Sequence, residues 1–145
     1  MKKAEALDAL FNEIRLSMHR LVQVTESLHA DESITLGMRA VLEFLLRNGE
    51  VTVPHIARSR HVSRQHIQSL VNPLLDQALV ALHENPAHRR SALVALTPSG
   101  ERLIRRLRRK EGRAFAKMGI DVSATRIEAA THTLTSLRQA LREPL

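Results

Sequence analysis

The chain has 145 residues, three phenylalanines with no tryptophan or tyrosine, no cysteine, and a formal net charge of +7. That length fits one domain whose core needs no covalent staples. The missing cysteines exclude disulfides, thiolate metal sites and cysteine nucleophiles, and the scarcity of aromatic rings argues against single-strand recognition by base stacking.

Leu7, Leu10, Phe11, Ile14, Met18, Leu21, Val22 and Leu28 recur at three-four spacing and predict one long amphipathic helix over 4–28. After "HADESI", Thr35 can cap a second helix with Met38, Val41, Leu42, Leu45 and Leu46 inward, ended by Gly49. Thr52 caps a short third helix with Pro54 in its first turn, reaching about Arg60. "HV" is a turn, and Ser63 caps a fourth helix that buries Ile67, Leu70, Val71, Leu74 and Leu75. Two short helices and a tight turn predict a helix-turn-helix.

From Val80 the period shortens. "VALHE" and "SALVAL" flank Asn85-Pro86 and predict a two-stranded hairpin with a loop of about five residues. Thr97-Pro98 opens a fifth helix with Leu103, Ile104, Leu107, Ala114, Phe115 and Met118 inward. Gly119 and Asp121 break it, and Ser123 opens a last helix with Ile127, Leu134, Leu137 and Leu141 inward. No segment approaches the roughly 20 apolar residues of a membrane span, and the first residues lack a leader's apolar core. The chain therefore reads as cytoplasmic, with no membrane partner.

The charge is unevenly placed. Residues 55–113 hold 12 of the 22 Lys+Arg and 4 of the 15 Asp+Glu, hence +8, leaving 10 and 11, hence −1, for the rest. A cationic middle points first to a nucleic acid.

The order of these elements, and the stretches "ITLGMRAVLEFL", "TVPHIARSRHVSRQHIQSLVNPLLDQALV" and "RRSALVALTPSG", resemble the MarR family of bacterial winged-helix transcription regulators. The resemblance implies a mainly α fold with a small two-stranded β-wing. Within one domain, 1–145, the winged helix-turn-helix would occupy 33–97, and helices over 1–30 and 98–145 would dimerise. It implies a regulator of the repressor type, binding double-stranded DNA as a homodimer and released by a small-molecule effector. Three positions depart from the family pattern. His88 stands where the wing usually has the acid of Asp-x-Arg, Ala78 replaces the glycine before the first wing strand, and Pro73 lies inside the fourth helix, where it should kink it.

A recognition helix enters the major groove by its first turns. The side chains there, opposite the buried stripe, are Ser63, Arg64, Gln65 and Gln68, with His66 and Ser69 at the margins. Arginine can grip guanine and glutamine adenine, each pair discriminating by about 1–3 kcal/mol; Ser63 serves first as a cap. By resemblance Arg90 enters the minor groove from the wing beside a phosphate-binding Arg89, and Arg58 and Arg60 are further phosphate candidates. The run from Arg105 to Arg113 spans several helix faces and reads as solvated or paired with acids.

A dimer would set its recognition helices about 34–36 Å apart on a pseudo-palindromic operator. Arg15, Met18, His19, Met38 and Arg39 are candidates to line an effector site. Histidine spacing offers no ligand pair, so no metal or cofactor is expected. Hydrolase, phosphate-loop and metalloprotease motifs are absent from the sequence, so an enzyme is not expected. The alternative is an architectural protein that binds DNA without sequence preference.

Overall fold

The computed structural model describes residues 2–142; Met1 and residues 143–145, the two ends of the expected domain, lie outside the described residues. In chain order the elements are α1 (Lys3–Leu28), α2 (Leu36–Asn48), β1 (Val51–Thr52), α3 (Val53–Arg60), α4 (Arg64–Asp76), β2 (Val80–His83), β3 (Leu93–Leu96), α5 (Pro98–Lys117) and α6 (Ala124–Ala140). Two compact units result, Met1–Glu111 and Gly112–Leu145.

Helix starts follow the capping chemistry of the sequence. Thr35, Thr52, Ser63 and Ser123 each accept a backbone N–H from three residues on, at 3.2, 3.2, 3.0 and 3.3 Å, and each such cap contributes about 1 kcal/mol. Thr97 does more. Its hydroxyl accepts from the Gly100 N–H at 3.1 Å and donates to the Ala78 carbonyl at 2.7 Å, while its own N–H reaches the Leu79 carbonyl at 3.1 Å. The start of α5 is thereby sewn to the base of the hairpin. A Cβ at Gly100 would collide with the Leu79 carbonyl, so only glycine lets the two backbones approach this closely.

The core of the first unit joins α2, α3, α4, the sheet and α5. Val41, Leu42, Ile56, Ile67, Val71, Leu74, Val94, Ile104 and Leu107 are essentially sealed from solvent, each contributing roughly 1.5–3 kcal/mol by burial.

Three features differ from the sequence reading. The sheet has three antiparallel strands in the order β1-β3-β2, because Val51 and Thr52 pair with Val94 and Leu93; two residues are too few to show a period. The hairpin loop spans residues 84–92 instead of about five, since β2 stops at His83 and β3 begins only at Leu93. Finally, the apolar faces of the outer helices are not sealed. No residue of α1 is buried, and in α6 Ile127 and Leu134 are exposed, as is the following Leu141. Helix α4 runs on through Pro73 to Asp76.

Helix ends carry two non-glycine residues in the left-handed region. His61 ends α3 with φ 54°, its turn closed by the Val62 N–H on the Ala57 carbonyl at 3.1 Å. Ala78 follows α4 with φ 55°, closed by the Leu79 N–H on the Leu74 carbonyl at 2.9 Å. Ala78 therefore takes up the conformation for which a glycine would be the easier residue.

Candidate nucleic-acid interface

The site is built on α4 and the wing. Ile67, Val71 and Leu74 anchor α4 in the core, which turns Ser63, Arg64, Gln65, His66 and Gln68 outward, all exposed. Gln68 Nε2 donates to Asn72 Oδ1 at 2.7 Å, holding that amide along the helix. Ser63 is occupied as a cap.

The wing is shaped by Asn85. Its Oδ1 accepts the Ala87 N–H at 3.2 Å and its Nδ2 donates to the Ser91 carbonyl at 3.0 Å. Backbone bonds from the His88 N–H to the Asn85 carbonyl and from the Ser91 N–H to the His88 carbonyl, both 3.2 Å, complete two consecutive turns. This is the Asx geometry that makes asparagine a turn former, and it fixes the backbone on either side of Arg89 and Arg90. At the base, His83 Nδ1 lies 2.8 Å from Glu50 Oε2 and ties β2 to the segment before β1.

Arg64, Gln65 and Gln68 share with Arg90 a groove of about 440 Å³ between α4 and the wing, floored by Val53, Pro54, Leu82 and Val94. Leu82 is 53% exposed, an apolar side chain left open between cationic neighbours. Of the residues expected from the sequence, the structure thus brings these four together. Ser63, His66, Arg58, Arg60 and Arg89 are exposed but do not line the groove. The apolar floor escaped sequence reasoning, because Val53, Leu82 and Val94 meet only through the sheet register.

Among the described residues, none of Arg58, Arg60, Arg64, Arg89 and Arg90 forms an ion pair. The α5 run behaves differently. Arg105 pairs with Glu101 at 2.8 Å, Arg106 with Glu32 at 3.0 Å, Lys110 with Asp31 at 3.2 Å, and Arg108 approaches Glu43 at 3.6 Å. Uncompensated positive charge is therefore available at α3, α4 and the wing tip, while much of the larger-looking run is spent within the chain.

Behind the interface lies a buried polar network. Glu111, 7% exposed, accepts from Arg39 Nε and Nη2, both at 2.5 Å, and approaches His29 Nε2 at 2.7 Å. Arg39 also meets Glu43 at 2.7 Å. Burial alone pushes the Glu111 carboxyl up, but hydrogen bonds from Arg39 and His29 and the Arg39 charge outweigh it and hold the group below its ordinary range. Glu43 is likewise held low, with burial opposed by Arg47 and Arg39. Glu111 occupies the position after Leu103, Ile104 and Leu107 in the inward stripe, and this interruption of an apolar face was its sequence signal.

No helix among the described residues is long and apolar enough to cross a membrane. The sequence model of the MarR family matches residues 39–91. An uncharacterized protein of Mycobacterium tuberculosis is 30% identical over 92 residues, which is 63% of this chain and 64% of that relative's length. The crystal structure of a MarR family transcription regulator, SP03579, is 25% identical, with a TM-score of 0.78 over 94% of this chain and 92% of the other. BpsR of Bordetella bronchiseptica, whose DNA binding is regulated by 6-hydroxynicotinic acid, has a TM-score of 0.76 at 20% identity, over 88% of this chain and 91% of its own; at that identity the likeness is one of fold.

Proposed function

We propose that this chain is a winged-helix regulator of the MarR family, whose model matches residues 39–91, and that it is a sequence-specific repressor that binds double-stranded DNA as a homodimer. The observation that carries the reading is the convergence of Arg64, Gln65 and Gln68 with Arg90 on one groove, with no carboxylate partner for either arginine among the described residues. Duplex DNA alternates a readable major groove with a narrow, strongly negative minor groove. In this reading α4 presents Arg64 to guanine and Gln65 and Gln68 to adenine, with His66 at the edge of the contact. Arg90 enters the neighbouring minor groove, and Arg89, Arg58, Arg60 and the helix start at Ser63 meet phosphates, which position the protein without reading sequence.

Homodimerisation is supported by apolar side chains that the single chain leaves open. They are Leu16, Met18 and Leu21 in the first unit, and Met118, Ile120, Val122, Ile127 and Leu134 in the second. Covering them with a second copy gives the two-fold symmetry that a pseudo-palindromic operator mirrors. The fold likeness to BpsR supports release by a small organic effector. No catalytic step is part of this reading, and its setting is the cytoplasm.

Selection of genomic fragments by the purified protein, with sedimentation of the same sample, tests the proposal. A dimer enriching a pseudo-palindrome supports it. A stable monomer, or fragments bound without preference as an architectural protein would bind them, contradicts it.

A further inference from the structure

Leu82 is the one large apolar side chain of β2 left exposed, at 53%. Strand alternation sends its neighbours Ala81 and His83 to the other face. Leu82 pairs with Val94 across the register, so the two share a face, and Val53, Pro54 and Ala92 continue the apolar lining of the groove. Arg64, Gln65, Gln68 and Arg90 supply its polar part, and no acidic residue among the described residues lines it. An apolar patch rimmed by polar groups is what an interaction surface presents. An exposed leucine adds little to the core of its own chain, and its apolar area becomes favourable when a partner covers it.

Charge decides what covers it. Two unpaired arginines favour a polyanion and repel a cationic partner. In the regulator reading, on which this inference rests, Arg64 stands in a major groove and Arg90 in the adjacent minor groove of a duplex. Adjacent grooves are separated by one backbone strand, so that strand crosses the floor between the two arginines. A phosphate pressed onto Leu82 would lose water without gaining a donor, which is costly. A deoxyribose offers C–H edges instead, and these suit an apolar floor.

We propose that the floor of this groove reads the sugar: Leu82 packs on a deoxyribose of the strand between the two DNA grooves and rejects a ribose at that position. The 2′-hydroxyl is the group by which a protein tells RNA from DNA. Here it would be pressed out of water against an apolar side chain, which should weaken binding about fivefold or more. One or two nucleotides in each half-site carry the discrimination.

The test is a scan of single ribonucleotides along both strands of a duplex selected from genomic fragments, with affinities measured by anisotropy at one salt concentration for the parent and for Leu82→Ser. The parent should lose about fivefold or more at one or two positions per half-site and little elsewhere. In Leu82→Ser the loss at those positions should shrink to within about twofold, with melting little changed because Leu82 is exposed. Leu82→Thr, which keeps a strand-forming residue, gives the same comparison where serine disturbs the hairpin. A ribose also alters the local sugar pucker, and that effect would persist in both variants, so an undiminished loss in them would overturn the proposal. A flat ribose scan on a duplex that the parent binds tightly would overturn it while leaving the DNA reading in place. A flat ribose scan with affinity lost on replacing thymines by deoxyuridine would give the floor to a base methyl group and overturn it too. Failure to bind any duplex would overturn both readings together.

Discussion

Arg64 of α4 and Arg90 of the hairpin loop line one groove, and neither is paired with a carboxylate among the described residues. Two such cations on one groove repel, and a bound polyanion would relieve that repulsion. The two should nonetheless act differently on DNA, because one sits on a helix of groove-reading size and the other at a hairpin tip.

Arg90→Ala should weaken binding to every duplex, most where the contacted minor groove is narrow and A·T-rich, and lower the slope of log affinity against log salt by about 1. Because Arg90 is exposed, the melting temperature should not move. Anisotropy titrations at several salt concentrations measure the slope. An unchanged slope would remove Arg90 from the interface.

Asn85 holds the wing tip through two side-chain bonds. Asn85→Ala should cost about 0.5–1.5 kcal/mol of DNA affinity by loosening the backbone that presents Arg89 and Arg90, with little loss of fold stability because the tip contributes nothing to the core. Affinity falling in step with stability, or not at all, would show that the tip needs no such staple.

Ala78→Gly should stabilise the protein. The left-handed conformation of Ala78 costs about 1–2 kcal/mol, while glycine brings about 0.5–1 kcal/mol of extra unfolded-state freedom. The net gain is about 0.5–1 kcal/mol, visible as a higher urea midpoint at constant slope. A destabilised variant would contradict the strain.

Stability should fall in acid through Glu111 and Glu43. Their folded pKa values lie below the ordinary 4.5, so their stabilisation is fully present above pH 4.5 and is lost as the pH falls through the lower folded values. Glu111→Gln should flatten this acid limb. At neutral pH it should cost about 1–3 kcal/mol, since it removes the charge from one of the two carboxylates that hold Arg39, which keeps Glu43. Denaturant melts of both proteins across the acid range provide the comparison.

Helix-forming stretches were legible because caps and three-four spacing act locally. Thr35, Thr52, Ser63 and Ser123 each bond the backbone N–H three residues away, and the inward stripes of α2 and α4 form the core. What the sequence hid depends on contacts between distant residues. Strand β1 exists only because Val94 and Leu93 lie beside Val51 and Thr52. His29 and Glu111, 82 positions apart, form a buried pair; Glu111 interrupts an apolar stripe, but nothing near it in sequence points to His29 as its partner. The polar half of the candidate interface was readable because Arg64, Gln65 and Gln68 face away from a recognisable buried stripe. Its apolar floor was not, because Leu82 belongs to a strand whose two faces only the register distinguishes.

The most direct measurement compares the affinity of the parent protein and of Arg64→Ala for a selected genomic duplex and a scrambled duplex of equal length, at one fixed salt concentration. A sequence-reading α4 predicts a large gap for the parent that Arg64→Ala narrows by about 1–3 kcal/mol, chiefly by weakening the selected duplex. Equal affinities for both duplexes in the parent, or a gap that Arg64→Ala leaves intact, would contradict it.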